Sequence, residues 1–282
     1  MKPIKTWSTA VKNEKKKTIP CNICGEMKFK SSLSCGNFGY VRCLSCGLVQ
    51  MNPQPLKEEI IDRYNTKDYL AYEMANEENY LNLQLLALKD SGFDETTRTS
   101  VLDIGCATGS LLSHLKIRGW ETTGVEINGS QADYGRRKYN LDIRNLPLEE
   151  NNFPSGRFNT VLTSHLIEHL NDPASMVREV KRILIYGGSF FITTPNIQGF
   201  QAKLFRGRWR SAIFDHLYLF SVKTLTRLLE DNGFIIEKIS TWGGLASGTA
   251  SAPVKRVFDK AAKRFGFGDV MIIRSRKHET EA

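Results

Sequence analysis

At 282 residues the chain exceeds one average domain, and its 41% hydrophobic and 24% charged composition is that of a globular protein with a sizeable core, not of a disordered chain. No run approaches the roughly 18 apolar residues of a spanning helix, and the lysine-rich first twenty residues lack a signal peptide's apolar centre, so the expected compartment is the cytoplasm. The net charge of +9 gathers at Lys12, Lys15, Lys16 and Lys17 and again at Lys255, Arg256, Lys260, Lys263, Arg264, Arg274, Arg276 and Lys277. That field attracts nucleotide sugars, anionic membrane surfaces or RNA without choosing among them, and a solvated tail explains the front lysines equally well.

In chain order, residues 1–20 read as a disordered basic tail and 21–55 as a Gly- and Cys-rich lobe too short to hold an apolar core without a staple. Residues 56–98 read as a helical connector, with Leu81, Leu85 and Leu88 on one helix face. From 99 to 282 short apolar runs alternate with amphipathic stretches, the pattern of an α/β domain around a mostly parallel sheet. The expected strands are 101–104, 122–127, 160–163, 189–194, 234–241 and 269–274, with a weak one at 141–144. The expected helices are 110–118, 130–139, 174–185 and 222–232, with a basic helix at 254–264. An antiparallel strand is expected at the sheet edge.

Five of the six cysteines lie between Cys21 and Cys46. Cys21 and Cys24 form one C-x-x-C pair, Cys43 and Cys46 a second, each followed by glycine, with eighteen residues between the pairs. Four thiolates so spaced can converge tetrahedrally on one zinc ion, and a closed four-sulfur site is structural. A redox dithiol or an iron–sulfur centre is the competing reading, and Cys35 is either a spare thiol or a substitute ligand.

A second constellation runs Asp103, Ile104, Gly105, Cys106, Ala107, Thr108, Gly109, joining a strand to a helix through a glycine-rich turn. Ala107 and Ser110 stand where a dinucleotide fingerprint requires glycine, and Asp103 would repel a pyrophosphate but suits a ligand with a cationic amino-acid end. Glu126 ends the next strand, where a carboxylate can accept from ribose hydroxyls; the alternative is an ordinary strand-end glutamate. The order of strand, D-x-G-x-A-x-G, helix, strand and glutamate resembles class I S-adenosylmethionine-dependent methyltransferases. Further matching segments lie at 158–162, 165–170, 186–189, 194–196 and 216–221. The chain looks most like bacterial members with a zinc-ribbon front lobe that act on nucleotide sugars, surface polysaccharides or other small metabolites.

That resemblance implies a Rossmann-like seven-stranded sheet behind a small zinc ribbon. It implies S-adenosylmethionine held by Asp103, Gly105, Cys106, Ala107, Gly109, Glu126, Ile127 and Ser164, with Leu148 and Glu149 beside the adenine. Similar sugar C-methyltransferases continue into a further domain, so O-methylation is expected here. Asn159 replaces the family's usual Asp before the fourth strand, with no catalytic meaning attached.

The third constellation, His165, Glu168 and His169, also matches the H-x-x-E-H pattern of inverted zinc peptidases, but follows a strand at the expected cofactor mouth. An imidazole titrates near neutral pH, so His165 is the candidate base for a substrate hydroxyl, oriented by Glu168 or His169, with His216 a second candidate. Similar proteins with an E-x-x-E-H run hold a divalent ion there; a histidine that merely caps a turn is the plain alternative for His169. The segment 203–218, with Arg206, Arg208, Trp209, Arg210 and Phe214, reads as a lid for an anionic ring-bearing substrate or as a basic surface loop. An rRNA or tRNA methyltransferase is the rival enzyme, yet Thr163, Ser164, His165 and Leu166 stand where amino-methylating enzymes often place Asn or Asp, Pro, Pro and an aromatic. A non-enzymatic zinc-ribbon adaptor is the remaining class, opposed by the intact Asp103, Gly105, Gly109 and Glu126. Peripheral membrane contact through the basic helix at 254–264 is a further expectation.

Overall fold

A computed structural model describes residues 16–56, 59–60, 67–244 and 252–278. The expected tail therefore lies outside the described residues up to residue 15, as do 57–58 and 61–66 of the expected connector.

The front lobe is a hairpin, β2 (Phe29–Cys35) and β3 (Phe38–Cys43), extended by β4 (Val49–Met51), with β1 (Lys16–Lys17) pairing β5 (Gln54–Pro55) beside it. Helix α1 (Lys67–Ser91) leads into alternating elements: β6 (Ser100–Ile104), α2 (Ser110–Ile117), β7 (Glu121–Val125), α3 (Gly129–Tyr139) and β8 (Asp142–Arg144). Then come β9 (Phe158–Ser164), α4 (Pro173–Ile183), β10 (Leu184–Pro195), α5 (Phe200–Phe205), β11 (Tyr218–Leu219), α6 (Val222–Asp231), β12 (Phe234–Trp242), α7 (Ala252–Phe265) and β13 (Val270–Lys277).

Seven strands form one sheet in the order β12, β13, β10, β9, β6, β7, β8. Neighbours from β10 to β8 run parallel, while β13 is antiparallel to both β10 and β12. The reversed strand thus lies one place in from the edge, which β12 occupies. Strand order turns round between β6 and β9, so their C-terminal ends open a crevice where ligands of open α/β sheets bind.

Local chemistry explains two of the helices that pack on this sheet. Asp172 caps α4 by accepting from the Ser175 amide with Pro173 in the first turn, and the helix buries Ala174, Met176, Val177, Val180 and Ile183. Ser221 and Thr224 form a reciprocal capping box on α6, which buries Leu225, Leu228 and Leu229. The helix α4 ends at Ile183 because Leu184 already pairs with Phe158 across β9, before an irregularity that restores register at Ser189.

The lobe and the larger sheet share one apolar core. Tyr40, Leu48, Val49 and Met51 pack in the same buried cluster as Phe158, Val161, Phe190, Leu217 and Phe220. Two-residue β11 pairs with β4 and completes the lobe's sheet from a point far along the chain. Asn22 ties the first cysteine turn to α4, donating to Asp172 and accepting from the Ala174 amide. Tyr40, 2% exposed, donates toward the carbonyls of Ile213 and His216 at 2.7 and 2.9 Å. Tyr40→Phe strands the buried His216 carbonyl and leaves the half-buried Ile213 carbonyl to solvent, and an uncompensated buried group costs about 1 to 3 kcal/mol. Denaturant unfolding should show that loss; unchanged stability would mean the lobe does not brace the 213–216 segment.

Candidate active site

The glycine-rich turn hangs from the C-terminal end of β6. Gly105 and Gly109 take left-handed φ angles, and so does Ala107 at 49°, a conformation that costs an alanine energy unless the surroundings hold it. Glu126 holds it: one carboxylate oxygen accepts from the Ala107 amide at 3.0 Å and the other from the Asn128 amide at 2.8 Å. Asn128 in turn caps α3 by accepting from the Gln131 amide.

Three carboxylates crowd this crevice. Burial, with Glu126 nearby, pushes Asp103 up to about 8. Burial raises Glu126 despite its backbone hydrogen bonds. Burial, Glu126 and Glu77 bring Glu73 of α1 up to about 7. Such a set is poorly satisfied by water or by anions, and it fits a cationic ligand, which restores the ionised forms. Cys106 is buried behind the turn, Ile127 and Ser164 are half-buried, and Leu148 turns into the core while Glu149 is exposed.

The histidine group borders the same turn. Leu166 lies against Gly105, where an added Cβ would come within 3.3 Å of it. The flanking His165 also takes a left-handed φ of 52°, fixed by its amide donating to Thr193. Its Nδ1 stands 3.3 Å from the Glu168 carboxylate, while its side chain remains 49% exposed. Glu168 is fully enclosed, its other oxygen accepting from Thr194 at 2.9 Å. Burial would raise its carboxyl, yet the hydrogen bond with His165 and the fields of the surrounding histidines outweigh that and hold it at about 2.

His169 is held from the 203–218 segment. Its Nδ1 donates to the Asp215 carbonyl, and its ring meets His216 edge-on at 4.6 Å. His216 is buried, its Nδ1 donating to the Ser211 carbonyl; burial and His169 push the imidazole down to about 3, so the ring is neutral. Glu168, His169 and His216 each offer a ligand atom within 4.8 Å of the others, close enough to share a metal ion.

Trp209 and Arg210 fasten the 203–218 segment to buried Asp269 at 2.8 and 2.9 Å. In the lobe, Cys21, Cys24, Cys43 and Cys46 bring four sulfurs within 4.8 Å of one another, each pair carried on a turn closed by a glycine amide donating to the first cysteine's carbonyl. Sequence reasoning missed Glu73, Thr194, Asn128 and Tyr40. Asn128 directly before a helix carried a cap signal and Thr194 lay in the matching segment 194–196, though neither was given a role; Glu73 and Tyr40 carry no signal.

A methyltransferase-domain family model matches residues 69–239. A ubiquinone biosynthesis O-methyltransferase of Acinetobacter baumannii is 30% identical over 103 residues, 34% of this chain. The chain spans only 44% of that relative's length. A probable S-adenosylmethionine-dependent methyltransferase of Mycolicibacterium smegmatis is 31% identical over 168 residues, 57% of this chain and 62% of that one. The solved S-adenosylmethionine-dependent methyltransferase of Archaeoglobus fulgidus superposes with a TM-score of 0.55 over 73% of this chain and 99% of that one, at 22% identity, a likeness of fold. The chain belongs to the methyltransferase-domain family.

Because the crowded carboxylates have raised pKa values, the free protein should lose stability as pH rises from the ordinary carboxylate range to about 7 to 8, where Glu73 and Asp103 have ionised in the folded state too. A bound cation reverses that loss. The melting-temperature rise produced by S-adenosylmethionine should therefore be larger above about pH 8 than below about pH 7. A pH-independent rise would remove the carboxylates from the site. Glu126→Ala should weaken the cofactor's affinity, by about 1.5 to 3 kcal/mol for each charge-assisted bond lost; calorimetry showing unchanged affinity would exclude Glu126.

Proposed function

We propose that the protein transfers the methyl group of S-adenosylmethionine to a hydroxyl of a small molecule. Sugars, nucleotide sugars and glycans are the first acceptors to try, and the quinone-pathway name of one relative adds phenols. The observation that carries this reading is the His165–Glu168 contact beside the turn at Gly105. Asp103, Glu73, Glu126 and residues 105–109 would hold the cofactor. When bound, it supplies an electrophilic methyl on a sulfonium.

The chain's own part is positioning and proton removal. With Nδ1 hydrogen-bonded to the Glu168 carboxylate, His165 carries its proton there and leaves Nε2 to accept the acceptor hydroxyl's proton. Glu168, ionised well below neutrality, then stabilises the imidazolium that forms. Thr194 and the covering core keep that carboxylate in one orientation. His165→Ala should lower kcat by about 10² to 10⁴-fold while the dissociation constant for S-adenosylmethionine stays nearly fixed. Full turnover in that variant would overturn the assignment.

A second reading uses overlapping residues, since Glu168, His169 and His216 can share a metal. Turnover lost to a chelator while the ribbon keeps its ion would favour it. Labelled cofactor offered with separate pools of nucleotide sugars, lipid-linked glycans, phenols and total RNA separates the acceptors; label appearing in RNA alone would sink the small-molecule reading.

In the lobe we read a structural zinc site. Burial pushes the Cys21 thiol up and Cys46 up to about 11, a penalty that a cation shared by four thiolates removes. A reducing compartment such as the cytoplasm suits six unbridged cysteines. Purified protein should contain about one zinc per chain. Cys43→Ser should lose it together with the lobe's protease resistance, and metal-free protein with an intact lobe would refute the site.

A further inference from the structure

Among the described side chains of helix α7, those on one edge are buried or half-buried. Ala262 is fully enclosed, and the Phe258 ring sits between Phe200 at 5.3 Å and Phe267 at 5.9 Å. The outward side carries Val254, Val257 and Phe265, which are 52%, 68% and 75% exposed and follow one another at helical spacing as a stripe. Lys260 and Arg264 border that stripe, both exposed.

The Phe200–Phe258 contact joins α7 to α5, whose Leu204 and Phe205 are 59% and 45% exposed beside the exposed Lys203, with the exposed Arg206 and Arg208 following directly. Single exposed apolar residues are ordinary, but a contiguous apolar stripe rimmed by cations marks an interaction surface.

Much of the charge on this face has no ion-pair partner among the described residues. Lys255 is paired with Asp259 and Lys263 with Asp90, whereas Lys203, Arg206, Arg208, Lys260 and Arg264 form no ion pair among the described residues. No acidic residue occurs between Phe200 and Arg210.

We propose that α5 and α7 together dock on an anionic lipid bilayer, the apolar stripe entering the headgroup boundary and the five cations meeting lipid phosphates. Among the described residues no helix is long and apolar enough to cross a membrane, so the contact is one of surface. Fourteen residues of α7 give a contact about 21 Å long. Charge selects this occupant: a second copy of the chain would press unpaired cations against their equals across a two-fold axis, and a nucleic acid would leave the valines and leucine uncovered. Leu204, Phe205 and Arg208 also line a cavity of about 610 Å³ that opens against Cys35 and Phe38 of the lobe's hairpin, giving a bilayer-borne amphipathic molecule a place beside the 203–218 segment. Docking requires no methyl transfer and is measured without it.

The test is sedimentation of the full chain with vesicles of phosphatidylcholine alone or with added phosphatidylglycerol. Binding should require the anionic lipid and fall as salt rises. Lys260→Gln with Arg264→Gln should weaken it roughly fivefold per charge, and Val257→Ser with Phe265→Ser by more than about tenfold, both variants keeping the parent's affinity for S-adenosylmethionine. Failure to sediment with either vesicle, or salt-independent binding to both, overturns the proposal. So does a dimer in sedimentation velocity that the Val257→Ser, Phe265→Ser variant dissociates without change in vesicle binding.

Discussion

A carboxylate enclosed at the end of β7 organises the turns at the C-terminal ends of β6 and β7. Both oxygens of Glu126 are committed to backbone amides, one in the turn after β6 and one at the start of α3, so a single side chain sets two turns at once. The arrangement keeps Ala107 in a backbone region that alanine avoids and fixes the first turn of α3. Its cost is electrostatic, because Asp103 lies close by on the neighbouring strand, fully enclosed, and Glu73 approaches from α1. A fold that tolerates three mutually repelling acids is waiting for positive charge, and that expectation agrees with the family to which the chain belongs.

The histidine group depends on the front lobe. Its strands are too few to enclose a core, and the structure shows how they manage: Leu48, Val49 and Met51 join the large sheet's own apolar cluster, and Tyr40 braces the segment that carries His216. Gly207 lies so close to the hairpin that a Cβ there would stand 2.0 Å from the Ser34 carbonyl, so any side chain would push the 203–218 segment away from the lobe. Whatever holds the four cysteines together therefore bears on the histidine group as well as on the lobe.

Much of this was legible in the sequence because it repeats. The alternation of apolar runs with amphipathic stretches located most of the sheet strands to within a few residues, since a strand buried on both faces, such as β6, is apolar at Val101, Leu102 and Ile104 with Asp103 as its one charged residue. Paired cysteines and the glycine turn are equally local signals. What stayed hidden is long-range. Two-residue β11 has no periodicity to read and exists only because β4 offers it an edge. Glu73 sits in an acidic helix that resembles any solvated face, and its approach to Glu126 follows only from how α1 lies across the crevice. Sequence reasoning likewise set the reversed strand at the sheet's edge; pairing places β13 one position inward, because β12 supplies the outer partner.

The late arrival of β11 has a consequence for synthesis. As the chain leaves the ribosome, β4 has β3 on one side and nothing on the other until Tyr218 and Leu219 emerge, by which time most of the large sheet has been made. For that interval an apolar strand edge, Val49 to Met51, stays open to any neighbouring nascent chain. The lobe comes first in the sequence and is among the last parts to be finished.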